Sequence, residues 1–490
     1  MRLPVPLLVV VLALAACSRQ HEETVNLVML DGGPAEAEAI RAATAEGLVG
    51  LDEQGRVVPA LADRWIVTDD GESYIFRLRD GTWADGTPLT GESARAALRQ
   101  ALAALRGTSL AQDFAAVDEV RAMAGRVVEI RLSRPMPDFL QLLAQPELGL
   151  ARRGRGAGPM ALRRDGQVAV LTPIAPDKRG LPAVKDWSRQ VRTLHLSPGA
   201  ARTALDRFEQ DPALVVLGGT FNHWPALADA RVPGAAIRRD PVTGLFGLAV
   251  VHEDGFLGDA ANREAIAMAI DREALAKAFQ APGWTGTTRL VSPGTDGDPG
   301  LVAERWSGLT QAQRQAAAAA RLAHWRVHAP GHAAAAANGR EPAPEVSLRL
   351  ALPSGLGADV LFARLAADLA AVGVRLVRVG AGDAADLRLV DRVAPYSRAD
   401  WFFGQLGCTA RPGVCSAAAD AAYAVARDLP DPAARGRQLA KAETELMAAN
   451  TFIPLGPPLR WSLAAPDTIG FAPNRWGVHP LLPLALRPPR

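Results

Sequence analysis

Cysteine is scarce in this chain, and so is any imbalance of charge. Three cysteines in 490 residues cannot build a disulfide scaffold. Lysine plus arginine number 54 and aspartate plus glutamate 52, a formal net charge of +2. Binding a polyanion by bulk charge needs a clear basic excess, so a nucleic-acid binder of that kind is excluded. Apolar residues make up 49% of the chain, which together with the low net charge excludes a disordered composition. Beyond the N-terminal segment no run approaches the roughly 18 apolar residues of a membrane-spanning helix, so the body is expected to be soluble. The strings of several chemistries are missing too. There is no Gly-x-Ser-x-Gly elbow and no P-loop, and Pro353-Ser354-Gly355-Leu356-Gly357 reads as a turn.

What is present begins at the N-terminus, where residues 1–17 read MRLPVPLLVVVLALAAC. Arg2 gives a positive start, residues 7–14 an unbroken apolar run, and Ala15 and Ala16 the small residues before Cys17. This is a secretory signal, too short for a stable span. Leu14-Ala15-Ala16-Cys17 resembles a bacterial lipobox, which implies removal of the signal and a lipid on Cys17. The expected picture is a globular body tethered by lipid to an envelope membrane, in an oxidising compartment. Cys408 and Cys415 are then the two thiols of the folded part, and a local disulfide closing the loop CTARPGVC is expected.

Other candidate sites are weak. Gly154-x-Gly156-x-Gly158 lacks the flanking strand and helix of a dinucleotide site, and Pro159 follows at once. His324, His328 and His332 have the spacing of one helix face, but Pro330-Gly331 breaks that helix and no carboxylate joins the string. Arg152, Arg153, Arg155, Arg163 and Arg164 form a basic cluster, read as a solvated loop or a docking surface for an acidic partner. Trp65, Trp83, Trp187 and Trp401 read as core or cleft-wall residues. No catalytic set, metal site or cofactor is expected.

The periodicity predicts a mixed α/β chain. Residues 25–30 (VNLVML) read as a buried strand ending at the turn Asp31-Gly32-Gly33-Pro34, with a short helix over 40–48. Residues 73–79 (SYIFRLR) and 127–132 alternate as strands. Thr90-Gly91-Glu92-Ser93 caps a helix through Leu98 and Leu105. Strands are predicted at 191–196, 214–217 and 247–251, one amphipathic helix over 262–279, and a β-α-β unit over 346–352, 360–372 and 374–379. The alanine tract 316–320 reads as helix and 333–337 as loop.

Several blocks together resemble the family 5 extracytoplasmic solute-binding proteins of ABC importers, the oligopeptide, dipeptide and nickel-binding type. The clearest runs from Glu46 to Leu105 and contains PALADRWIVTDDGESYIFRLRDGTWADGTPLTG. Gly156-Ala157-Gly158-Pro159, NREAIAMAIDREAL from Asn262, and the stretch from Ala440 through Glu443 to Phe452-Ile453-Pro454-Leu455 follow in family order. The resemblance implies a two-lobed periplasmic-binding-protein type II fold of class α/β, with an extra inserted α+β domain. Its expected division is 18–49, 156–243 and 456–490 for the first lobe, 50–155 for the insert, and 244–455 for the second lobe. It implies a solute held between lobes and handed to an ABC permease and its ATPase outside the cytoplasmic membrane.

One departure touches the ligand. Peptide binders of this family carry a Gly-Trp-x-Ala-Asp-Tyr-x-Asp-Pro stretch whose first Asp pairs with a peptide's α-ammonium. The best match here is Asp391-Arg392-Val393-Ala394-Pro395-Tyr396-Ser397-Arg398, with Arg392 at the Trp position, Pro395 at the anchoring Asp and Arg398 at the second Asp. A buried ammonium without a carboxylate is costly. The expectation is therefore that a free peptide N-terminus is not held in the family's manner, and that Arg392 or Arg398 favours a carboxylate or phosphate. Asp391 or Asp400 is the substitute anchor should the register slip. Candidate ligand-binding residues are Asp31, Gly32, Arg392, Tyr396, Arg398 and Trp401. The function expected is capture of a peptide-like or small organic solute. The alternatives are an envelope lipoprotein with a sensing or assembly role, and an extracytoplasmic hydrolase.

Overall fold

The computed structural model describes residues 24–328, 345–411 and 414–487. The signal with Cys17, His332 and the 333–337 tract lie outside these residues. Two large sheets carry the fold. The first has seven strands in the order Met160–Asp165, Val168–Pro173, Thr193–Gly199, Thr24–Leu30, Val215–Thr220, Arg460–Leu463, Ile237–Arg239. Its centre is parallel and its flanks antiparallel. The central strand Thr24–Leu30 is covered on both faces, which is why VNLVML reads as an apolar run rather than an alternation. Val28 and Leu30 join Leu205, Phe208 and Trp224 in one core, while Leu27 and Met29 join Ile40, Leu171 and Leu484 in another.

The second sheet has five strands in the order Val374–Gly380, Val346–Leu352, Leu387–Val393, Gly244–Val250, Phe452–Gly456. Val346–Leu352, the helix Leu356–Ala371 and Val374–Gly380 form the parallel unit that the sequence pattern predicts. The chain passes between the two large sheets through 240–243 and returns through 457–459. Beside these crossings one apolar cluster is shared by both sheets, with Phe221 at 5.1 Å from Phe246 and Trp224 at 6.2 Å from Trp461.

A third, antiparallel sheet takes the order Ala62–Val67, Ser73–Leu78, Val127–Leu132, Val117–Met123. Its strands alternate because one face is buried: Tyr74, Phe76, Val128 and Ile130 point to a core closed by Leu98 of the helix Gly91–Ala104 and by Phe139. Thr90 caps that helix in a reciprocal box with Ser93. This core continues into Tyr396, Trp401, Phe402 and Phe403, so the third sheet packs on the helix Ala399–Leu406 that follows the second sheet's strand Leu387–Val393.

Two sequence expectations are corrected. The helix expected over 262–279 is two, Ala260–Ala269 and Arg272–Phe279, because Asp271 turns its carboxylate onto the amide of Ala274 and starts a new helix. The helix expected over 40–48 is Gly33–Thr44. Pro34, read as part of a turn, sits in its first turn, where a missing N–H is harmless. Cys408 and Cys415 are joined in a disulfide. The loop they close sends Arg411 to the carbonyls of Val250 and Thr451.

Candidate inter-sheet binding site

A cavity of about 500 Å³ opens where the three sheets meet. Its walls follow from the elements around it. The helix Gly33–Thr44 contributes Ala35, Glu38, Ala39 and Ala42, one face at helical spacing. The third sheet's surroundings contribute Leu110, Asp113 and Glu147. The end of the strand Leu387–Val393 and the residues after it contribute the continuous run Asp391 to Pro395, and the next helix contributes Trp401. Trp476, Gly477, Val478 and His479 close one side. His479 is oriented by Asp240 of the first crossing at 3.2 Å, and Asn474 donates its backbone N–H to the same carboxylate. Trp476 donates its indole N–H to the Gly55 carbonyl.

Charge in the cavity is unevenly partnered. Asp391 and Arg460 form an ion pair across the two large sheets, with both carboxylate oxygens within 3.0 Å of Nη1. Arg392 instead donates from Nη1 to the Gln405 amide oxygen at 3.0 Å. Asp113 accepts from the Tyr396 hydroxyl at 3.2 Å, and burial pushes its carboxyl up to about 7 against the pull of that hydrogen bond and of the Arg392 charge. Glu38 is pushed up to about 7 as well, by burial first and then by the negative charge of Glu147, with Arg41 opposing. Two carboxyls on one cavity thus sit near neutrality where exposed ones are fully ionised.

The Asp113 shift has a measurable consequence for stability. Its folded value lies above the unfolded one, so the native state prefers the neutral acid. The cost of keeping it in place is absent at about pH 4, grows as pH rises towards 7, and is constant above. Asp113→Asn is expected to raise the unfolding midpoint at about pH 8 by the equivalent of roughly 2–4 kcal/mol and to leave it nearly unchanged at about pH 4. Calorimetry at the two pH values checks this, and equal shifts at both would remove burial of the ionised form as the cause.

The structure treats the six candidate ligand residues differently. Arg392 and Trp401 line the cavity. Tyr396 is buried behind the wall, its hydroxyl on Asp113. Arg398 turns to Asp138 and Asp400, each 3.5 Å away. Asp31 accepts from His223 Nε2 at 2.7 Å, a tautomer fixed by the Thr220 backbone N–H on Nδ1. Gly32, just past the strand Thr24–Leu30, packs on Pro198 of the neighbouring strand Thr193–Gly199, and neither Asp31 nor Gly32 is a wall residue. Of the two substitute anchors, Asp391 reaches the cavity already paired, and Asp400 is bound by Arg435 and Tyr423. Glu38, Asp113 and Glu147 escaped sequence reasoning. The small residues flanking Glu38 at three- and four-residue spacing are a signal for the first; nothing local marks the other two.

The remaining sequence motifs resolve structurally. Gly156 and Gly158 lie against the Thr44–Ala45 backbone, where a Cβ would fall within 2.5 Å of main-chain atoms. His324 and His328 stack at 4.2 Å on the exposed end of the helix Gln311–His328. The basic cluster is divided among partners: Arg152 binds Thr87, Arg164 binds Glu36, and Arg153 lies 3.6 Å from Asp85. No helix among the described residues is long and apolar enough to cross a membrane.

Residues 56–163 match the family model for the middle segment of bacterial extracellular solute-binding proteins, family 5. The chain is 36% identical over 125 residues to the probable deoxycholate-binding periplasmic protein YgiS of Escherichia coli K12, covering 21% of this chain and 23% of that one. It is 33% identical over 117 residues to the E. coli K12 periplasmic murein peptide-binding protein MppA, covering 20% and 22%. These alignments span about a quarter of the relatives' length. The fold likeness runs further. The Haemophilus influenzae OppA complex with the peptide RPPGFSPFR superposes with a TM-score of 0.78 at 14% identity, over 95% of this chain and 99% of that one. The structure of E. coli MppA gives 0.75 at 19% identity, over 93% and 97%. The mixed α/β architecture is that of the type II periplasmic binding proteins. The fold is thus shared with these binding proteins over nearly the whole chain, and the family 5 likeness in sequence is carried by residues 56–163.

Proposed function

We propose that the protein is the lipid-anchored, extracytoplasmic solute-binding component of an ABC importer, closing two lobes on a small solute and delivering it to the permease. The observation that carries this reading is the cavity, which lies between two large sheets whose chain connections, among the described residues, are the crossings 240–243 and 457–459. Pockets of this size at domain junctions enclose most of a drug-sized ligand, and a two-segment connection suits hinge closure. The division at residues 50, 156, 244 and 456 belongs to the same reading, as does the anchor on Cys17. Arg392 and Trp401 are its ligand-contacting residues. The relatives are named for deoxycholate, glutathione and a murein peptide, which supports a small organic solute. The test is small-angle scattering of the mature chain before and after exposure to the small-molecule fraction of a bacterial extract. Compaction with a molecule retained through gel filtration is expected. An unchanged envelope with nothing retained would sink the proposal.

A further inference from the structure

We infer that the solute carries an anionic group that seats on Arg392, and that its binding draws a proton onto Asp113; this rests on the binding reading above. The geometry begins with two arginines of unequal standing. Arg460 is already neutralised by Asp391. Arg392, also on the cavity wall, makes no ion pair among the described residues. Its one side-chain partner, Gln405, is buried and neutral. The other end of that amide is spent on the Ser109 carbonyl at 3.3 Å and on Asp113 at 3.5 Å. Gln405 therefore stands as a spacer that keeps the nearest carboxylate off Arg392 and leaves the guanidinium's remaining donors for a guest. Arg411 adds a second positive charge nearby, its guanidinium held by backbone carbonyls and not by a carboxylate. A planar fork with unspent donors, backed by a second cation, suits a carboxylate or a phosphate.

Asp113 faces Tyr396, Gln405 and the charge of Arg392, and shares the cavity with Glu38 and Glu147. A guest anion on Arg392 occupies the charge that favours ionised Asp113 and adds repulsion of its own. Both effects favour the protonated acid. Since the unliganded carboxyl already sits near 7, the uptake falls between zero and one proton around neutrality.

The test uses the mature chain stripped of bound solute and then incubated with the small-molecule fraction of a bacterial extract. Native mass spectrometry at about pH 6 and pH 8 identifies and quantifies what is retained. An acidic solute is expected, held on the order of tenfold more weakly at the higher pH. Arg392→Gln should lower retention at least about tenfold, Arg392→Lys less, because the charge remains but the fork is lost. Asp113→Asn should bind at both pH values and abolish the difference between them. Retention of a neutral or cationic solute, or indifference to Arg392→Gln, would overturn the anion assignment while leaving the binding reading intact. A pH difference that survives Asp113→Asn and disappears in Glu38→Gln would assign the proton to Glu38 and overturn this role for Asp113. If nothing is retained under any condition, the binding reading itself fails.

Discussion

Truncating Glu443 to alanine is expected to cost about 3–5 kcal/mol, because it leaves a buried charge network one member short. Glu443 lies on the helix Pro432–Ala449, and its side chain is 3% exposed. Its carboxylate takes Nε and Nη2 of Arg289 at 3.2 and 2.8 Å and also accepts the backbone N–H groups of Leu290 and Val291. Arg289 is completed by Asp298 at 2.9 Å, and all three side chains are almost fully buried. Alanine would strand two backbone donors and remove half of the counter-charge of Arg289. Glu443→Gln keeps an acceptor for the backbone and leaves Asp298 on the arginine, so its cost should be nearer 1–2 kcal/mol. Calorimetry on both variants decides: alanine and glutamine of equal effect would show that charge, not backbone satisfaction, is the larger part. A loss under about 1 kcal/mol for alanine would mean the network is replaceable by water.

Legibility in the sequence followed how local each signal was. In the third sheet Ser73–Leu78 and Val127–Leu132 were plain because they alternate at period two near Asp-Gly turns, whereas the edge strand Val117–Met123, with only Val120 buried, went unread. The central strand Thr24–Leu30 was legible as buried, since both its faces are covered. The two helices between Ala260 and Phe279 read as one, because the apolar period continues across a break set by a single capping aspartate. The same distinction governs the site. The run Asp391 to Pro395 was found through its resemblance to a known stretch, and it does line the cavity. Asp113 and Glu147 come from segments distant in sequence: packing of Ser109–Gln112 on the helix Ala399–Leu406 brings in the first, and packing of Pro146–Leu148 on the helix Gly33–Thr44 the second. Arg398 had the same local credentials as Arg392 yet pairs with Asp138, from another part of the chain.

Gly244→Ala should be the most damaging small substitution near the site. Gly244 opens the strand Gly244–Val250 directly after the first crossing and pairs with Val393. Its φ of +153° lies in a region that side chains other than hydrogen rarely occupy. A Cβ there would sit 2.0 Å from the Arg392 carbonyl oxygen and 3.0 Å from the Ala394 nitrogen, both main-chain atoms that cannot swing away. Strain and overlap together are expected to cost roughly 3–5 kcal/mol. The relief available is to push the strand carrying Arg392 to Ala394 aside, and those residues are cavity wall. Loss of stability and loss of solute retention should therefore appear together. Gly404→Ala is the matched control on the neighbouring helix, where the added methyl meets nothing within 4 Å. It removes a helix-interior glycine and should stabilise by about 0.5–1 kcal/mol. Thermal unfolding and solute retention measured on both variants separate the outcomes. A Gly244→Ala protein as stable as its parent would show that the strand pair yields freely, and that Arg392 is held in place by Gln405 and not by the backbone of its strand.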